Sequence, residues 1–241
     1  MSNLILQTQG AIDLYLTTSP QIDVFRYKVY RYTNFVRKVK KVTMSGFADF
    51  DSNISVDVPK SGHILTKMYI HLKLPKLTKI DADYLNWSDN LSSAIIDGPI
   101  TLSIGGVIVD RMYPNFEDVY DELSSLEDKR RGQMTLKSDM YQSAVYNASK
   151  ETDIYIPLRF SFTKNYKLGL PIVSMIQDIK INFKLKSFFD CINYNGTTPP
   201  KYNITASNFF AEYIDLDPIA LDQFTNYKHT FIIDQVQEQI E

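Results

Sequence analysis

The stretch DIYIPLRFSFTKNYKLGLPIVSMIQDIKINFKLK, residues 153–186, decides the fold class. It opens with Ile154, Ile156, Leu158, Phe160 and Phe162 at every second position. It closes with Ile179, Ile181, Phe183 and Leu185 set against Lys180, Asn182, Lys184 and Lys186. Side chains of a strand alternate between its faces, so each run has one core face and one wetter face. Between them, Gly169 and Pro171 forbid a continuous element. Two half-buried strands joined by an ordered loop predict a sheet packed on a second sheet.

Composition agrees with an all-β chain. Of 241 residues, 44% are apolar, enough for a substantial core, and 16 Tyr with 14 Phe suit a pleated, half-buried surface. A net charge of −2 gives no reason to expect direct contact with nucleic acid. Cys191 is the single cysteine, so no intrachain disulfide forms and a reducing compartment is the simpler expectation. Leu4–Leu6 is too short for a signal peptide, and no segment approaches the roughly 20 apolar residues of a membrane span. The expectation is a soluble protein made inside the cell.

Working outward, residues 1–34 read as an arm and first ordered segment, and residues 35–241 as one domain. The arm carries Arg26, Lys28 and Arg31 among aromatics, which fits either an edge strand or an arm docked on a neighbouring subunit. Phe35–Phe50 is strand-like, and Arg37, Lys38, Lys40 and Lys41 interleave with Val36, Val39 and Val42 as one solvated strand face. Ile54, Val56 and Val58 alternate up to Pro59, then Met68, Ile70, Leu72 and Leu74 alternate to Pro75, a hairpin-like pair about Pro59–Gly62. Residues 76–97 read as a long surface loop. Gly105-Gly106 marks a tight hairpin, since its turn needs positive φ. A helix opening at Pro114 places Phe116, Val119, Tyr120 and Leu123 in one stripe. Residues 127–150 and 190–206 read as excursions, Phe209–Leu216 as a strand, Asp217-Pro218 as a helix start, and Phe231–Val236 as a last strand. About eight to ten strands, two short helices and no βαβ alternation predict a jelly-roll β-sandwich of two antiparallel sheets.

Chemistry is sparse. His63, His71 and His229 show no metal-ligand spacing, and no glycine loop cradles a phosphate. Asp49 with Asp51, or Glu117 with Asp118, are carboxylate pairs of a kind common on surfaces. Cys191 lies beside Phe188 and Phe189 with no adjacent base, as a buried thiol would. Asn-x-Ser/Thr triplets at Asn53, Asn86, Asn90, Asn147, Asn195 and Asn203 follow from Asn-rich composition. These residues describe a binding protein with no catalytic, cofactor or metal site.

Several blocks resemble, in order, the first jelly roll of the major capsid protein of nucleocytoplasmic large DNA viruses. The opening is similar at Gly10, Ala11, Asp13, Tyr15, Leu16, Thr17, Pro20, Gln21, Ile22, Tyr30, Arg31, Thr33, Asn34 and Phe35, with Tyr32 where the family usually has His. SGHILTKMYIHLKLP (61–75), IGGVIVDRMYPNFEDVYDEL (104–123) continued by Lys129-Arg130, YIPLRFSF (155–162) and AEYIDLDPIALDQFTNYKHTFIIDQVQ (211–237) carry the rest. The resemblance implies a structural virion protein, not an enzyme, that joins other copies of itself in a trimeric capsomer of an icosahedral shell. It implies assembly in the host cytoplasm, contact with other capsid proteins, and a second jelly-roll polypeptide or the inner viral membrane as further partners. Asp13, Tyr15, Pro20, Gln21, Tyr30, Arg31, Asn34 and Phe35 become candidates for inter-subunit contact. The loops at 76–97, 135–152 and 190–206 become candidates for the trimer seam or outer surface.

In that family a second roll follows the Gln-Val-Gln block, whereas this sequence stops at Glu241. That leaves open half of a longer or split protein, or a single-roll relative with a minor or vertex role. From the residues alone a carbohydrate-binding jelly roll competes, with Tyr84, Asn86 and Trp87 as its glycan contacts. A cupin-type enzyme would need several His and carboxylate ligands, and the three histidines are scattered.

Overall fold

A computed structural model describes residues 34–79, 82–88, 91–124, 148–197, 200–226, 228–231 and 233–238. Its strands are β1 (Phe35–Val42), β2 (Asn53–Val58), β3 (Ile64–Leu74), β4 (Leu85–Trp87), β5 (Ile100–Ile104), β6 (Val107–Met112), β7 (Thr152–Pro157), β8 (Ile179–Lys184), β9 (Ile192–Tyr194) and β10 (Ala206–Leu216). Its α-helices are α1 (Leu91–Ala94), α2 (Pro114–Ser124) and α3 (Pro218–Asn226).

Pairing is nested about one turn. Gly105 and Gly106 take φ of 59° and 84°, a left-handed pair that closes the β5–β6 hairpin with Ile104 opposite Val107. Glycine enters that region without the Cβ clash other residues meet. Outside this hairpin β3 pairs with β7, β2 with β8, and β1 with β10, all antiparallel. The nested ribbon then rolls up, because β10 also pairs with β3 and β5 with β8. Two four-stranded sheets result, in the orders β1-β10-β3-β7 and β2-β8-β5-β6, which is a jelly roll. A small third sheet joins β4 to β9.

The runs at 153–186 end in opposite sheets, β7 in one and β8 in the other, each turning one face to the core. Ile154, Ile156, Leu158, Phe160 and Phe162 are all buried, and so are Ile179, Ile181, Phe183 and Leu185. The first run leaves its ladder early: Ser161–Thr163 is a 3₁₀ turn, yet the inward alternation persists through it. Val56, Ile70, Leu72, Phe209 and Tyr213 meet these residues in the shared core. Burial of such side chains removes apolar surface from water at about 25 cal/mol per Å².

Several elements differ from the sequence reading. Pro59–Gly62 does not close a hairpin, because β2 and β3 lie in different sheets and the segment carries the chain between them. Gly62 is needed there because a Cβ would sit 2.6 Å from the Cβ of Tyr213, whose hydroxyl donates to Pro59 O at 2.8 Å. Burial pushes the Tyr213 phenol up to about 12. β1 ends at Val42 rather than running to Phe50, since residues 45–52 turn back, with Asp51 at φ 60°. Residues 76–97 hold β4 and α1, with Leu85, Leu91, Ile95 and Ile96 buried, so they are no surface loop. Residues 190–206 likewise contain β9. Among the described residues of 231–236 no strand forms; Gln235 reaches β6 through its side chain instead, Nε2 donating to Val109 O at 2.6 Å. α3 begins as read, with Ala220 N–H donating to Asp217 Oδ1 at 2.8 Å.

Candidate functional site

Loop segments far apart in sequence meet at one end of the roll. β4 pairs with β9, placing Leu85 opposite Tyr194 and Trp87 opposite Ile192. Asp83 and Tyr84 N–H both donate to Asn195 Oδ1, at 3.1 and 3.3 Å, and Asn195 Nδ2 donates back to Asp83 Oδ2 at 3.2 Å. Thr78 N–H donates to Tyr202 Oη at 2.9 Å, and Leu77 N–H to Ala148 O at 2.9 Å. Segments 76–97 and 190–206 thus form one cap, joined by the end of 135–152; residues 135–147 lie outside the described residues.

Under the cap Phe188 packs edge-on to Phe50 at 5.3 Å and to Trp87 at 5.9 Å, with Tyr202 at 5.6 Å. This aromatic layer fixes the fate of the glycan candidates. Trp87 is 3% and Asn86 5% exposed, while Tyr84 is 38% exposed. Trp87 and Asn86 therefore present no surface on which a sugar could stack, because both faces of β4 are covered. An opening beside the cap is lined by Asp51, Asp97, Lys184, Lys186, Ser187 and Asp190. Lys184 donates to Asp97 at 2.5 Å there, which raises the lysine above its ordinary range.

Both flanks of the sandwich expose apolar side chains. β1, FVRKVKKV, is an edge strand exposed on both faces from Phe35 to Lys41 except at half-buried Lys38, which pairs with Asp215. The basic run is therefore not a single solvated face. Phe35, Val36 and Val39 stand in water at 54, 64 and 60% exposure. Arg37 lies over the Tyr166 ring at 5.1 Å, and Lys67 over the same ring at 4.4 Å. On the opposite flank α2 turns its predicted stripe outward: Phe116, Val119, Tyr120 and Leu123 are all exposed, Leu123 at 82%. The inward residue is Glu117, which accepts from Arg159, whose guanidinium lies 5.0 Å over the Tyr120 ring. Of the other arm candidates, Asp13, Tyr15, Pro20, Gln21, Tyr30 and Arg31 lie outside the described residues, as do Lys129 and Arg130. Asn34 and Phe35 stand at the start of β1.

The titratable groups that invited chemistry serve structure. Leu216 N–H donates to His63 Nδ1 at 2.9 Å, His71 lies between Asp153 (2.8 Å) and Asn208 (3.0 Å), and His229 Nε2 meets Phe224 O at 2.8 Å. Asp49 accepts from the backbone of Phe50 and of Ile204, pinning the β1–β2 turn to the cap. No group of three metal-type side chains converges among the described residues.

Cys191 is fully buried, and desolvation pushes its thiol from 9.0 up to about 12. A group that holds its proton more tightly when folded stabilises the fold fully below its unfolded pKa. That stability is lost as pH rises through the window from about 9 toward 12. The native protein at pH 8 should give no reaction with a disulfide reagent over an hour, and one equivalent once unfolded. Cys191→Ala should flatten part of the stability loss between pH 9 and 11. Rapid native labelling would show the thiol to be accessible.

Residues 23–217 match the family model described as "Major capsid protein N-terminus", a span that ends just beyond β10. The chain is 26% identical to the major capsid protein of Phaeocystis pouchetii virus, over 96% of this chain and 52% of that one. It is 28% identical to the major capsid protein of Paramecium bursaria Chlorella virus 1, over 96% and 52%. Capsid protein 1 of Acanthamoeba polyphaga mimivirus is 25% identical over 97% and 43%. The chain thus spans about half the length of the curated relatives it matches. Among solved structures, the capsid protein of the PBCV-1 virus quasi-atomic model superposes with TM-score 0.73 at 24% identity, over 88% of this chain and 50% of that one. The Faustovirus major capsid protein superposes at 0.64 with 10% identity, over 90% and 60%. With its jelly roll lying almost wholly inside the matched span, this chain belongs to the family of the major capsid protein N-terminus of large DNA viruses.

Proposed function

We propose that the chain is a structural building block of the icosahedral capsid of a large DNA virus, acting by assembly rather than by catalysis. The observation that carries this reading is the family match across residues 23–217, which spans the complete nested set of strands. In this reading residues 1–34 are an arm on a roll formed by 35–241. Other copies of the chain, and other capsid proteins, are its partners, and the virion shell is its place, reached by assembly in the host cytoplasm. The likeness to about half of each relative supports a role beside a second roll, on the same or another polypeptide. The end cap and the two apolar flanks then supply area for contacts that are individually weak and sum by multivalency.

The test is light scattering of the purified chain across a concentration series, with negative-stain images of any assembly. A trimer or ring, at a multiple of the 27.8 kDa chain mass, is the expected result. A monomer at every concentration would overturn self-assembly by this roll.

A further inference from the structure

We infer that the corner between β6 and α2 is a binding groove for an extended acidic peptide, held shut in this chain by its own residues 234–238 as a releasable clasp. The inference goes beyond the assembly reading and does not depend on it. β6 is an edge strand of its sheet, and no ladder forms on its outer side among the described residues. It also carries a bulge: Leu102 pairs with Asp110 and Ser103 with Ile108, so Val109 has no partner on β5. A bulge takes one residue out of the ladder and re-aims its backbone. The Val109 carbonyl freed in this way is the group that accepts from Gln235 Nε2.

Further contacts seat the segment. Asn115 Nδ2, in the first turn of α2, donates to Glu238 Oε1 at 3.1 Å, and Lys164 Nζ lies 3.9 Å from Asp234 Oδ2. Val236 is the one half-buried residue of 233–238, and it lines a cavity with Met112, Phe116 and Tyr120. Asp234, Val236 and Glu238 are alternate residues, the spacing that puts side chains of an extended chain on one face. Charge favours the same ligand. Arg111, Arg159 and Lys164 line the cavity, while the acids beside them are committed elsewhere. Asp110 accepts from the Arg111 and Ser161 N–H groups, and Glu117 accepts from Arg159. The groove thus fits a carboxylate, an aliphatic side chain two residues on, and a second carboxylate two residues beyond that.

The clasp is weakly held. Its ion pair leaves the Asp234 side chain 83% exposed, and exposed pairs contribute little. A single half-buried valine supplies the apolar contact. A segment with few buried contacts opens locally while the rest of the fold stays closed. Tethering keeps it seated, because a joined segment acts at an effective concentration on the order of millimolar. A free peptide of the same pattern enters once the clasp is released, and the open edge of β6 gives its backbone a strand to lie along.

The test is fluorescence anisotropy of a labelled synthetic peptide of residues 230–238, TFIIDQVQE, titrated with the full chain and with its Val236→Asp variant. The variant, whose own segment no longer seats, should bind the peptide about tenfold more tightly than the unmodified chain, or better. The same peptide carrying Val236→Asp should not bind. Equal binding to both chains, or none to the variant, would overturn the groove. So would a variant that loses its cooperative urea unfolding, because the segment would then be core rather than clasp. Each of these outcomes leaves the capsid reading standing.

Discussion

Alanine at Phe160 should lower the free energy of unfolding by about 3–5 kcal/mol, seen as a lower denaturant midpoint at unchanged slope. Phe160 is 0% exposed and stacks on Phe162 at 6.3 Å. It sits where the chain leaves β7, after Leu158 N–H has donated to Met68 O at 2.9 Å. Thr163 Oγ1 donates to Leu158 O at 2.7 Å and Phe160 O at 3.0 Å, so the backbone there is fastened and cannot close over a cavity. The contrast is Leu123→Ala on exposed α2, which should stay within about 0.5 kcal/mol in the monomer. A loss below about 1 kcal/mol at Phe160 would mean that this segment is not core.

Glu117→Ala should cost about 3 kcal/mol, the lower end for breaking a buried pair, because the Arg159 side chain keeps 22% exposure. The loss comes from removing a charge-assisted hydrogen bond at a carboxylate that is only 9% exposed. Glu117→Ala combined with Arg159→Met completes the set of variants needed to read the pair. A double-mutant cycle by urea unfolding would read the coupling, expected above 1 kcal/mol. Strict additivity would show that α2 is held to the roll by something else.

The jelly roll was legible where local chemistry and tertiary demand coincide. The Gly105-Gly106 turn requires positive φ, and the runs at 154–162 and 179–185 alternate because each strand has one core face. Elsewhere local pattern was ambiguous. β4 and α1 span three and four residues, too short to show a period, and polar neighbours hid Leu85, Trp87 and Leu91. Pro59–Gly62 reads equally well as a hairpin or a crossing between sheets, since nothing in four residues says which sheet comes next. On α2 the stripe was visible but its direction was not: a charged residue lies inward and the apolar face lies out, which only the position of Arg159 reveals. β1 misled because an edge strand can be wet on both faces. The contact candidates of the arm rest on resemblance alone.

The nested pairing has a consequence for synthesis. Phe35 pairs with Leu216, so among the described residues β1 has no ladder until β10 has been made, roughly 180 residues later. At about 5–20 residues per second, β1 waits roughly 10–35 s on the ribosome with its backbone unpaired. In that interval Phe35, Val36, Val39 and Val42 of FVRKVKKV are open to wrong partners on neighbouring nascent chains. Arg37, Lys38, Lys40 and Lys41 repel like segments meanwhile, as gatekeepers of a strand whose neighbour among the described residues, β10, is translated so much later. The cost of removing them would fall on the yield of folded chains before any loss of stability in the finished roll.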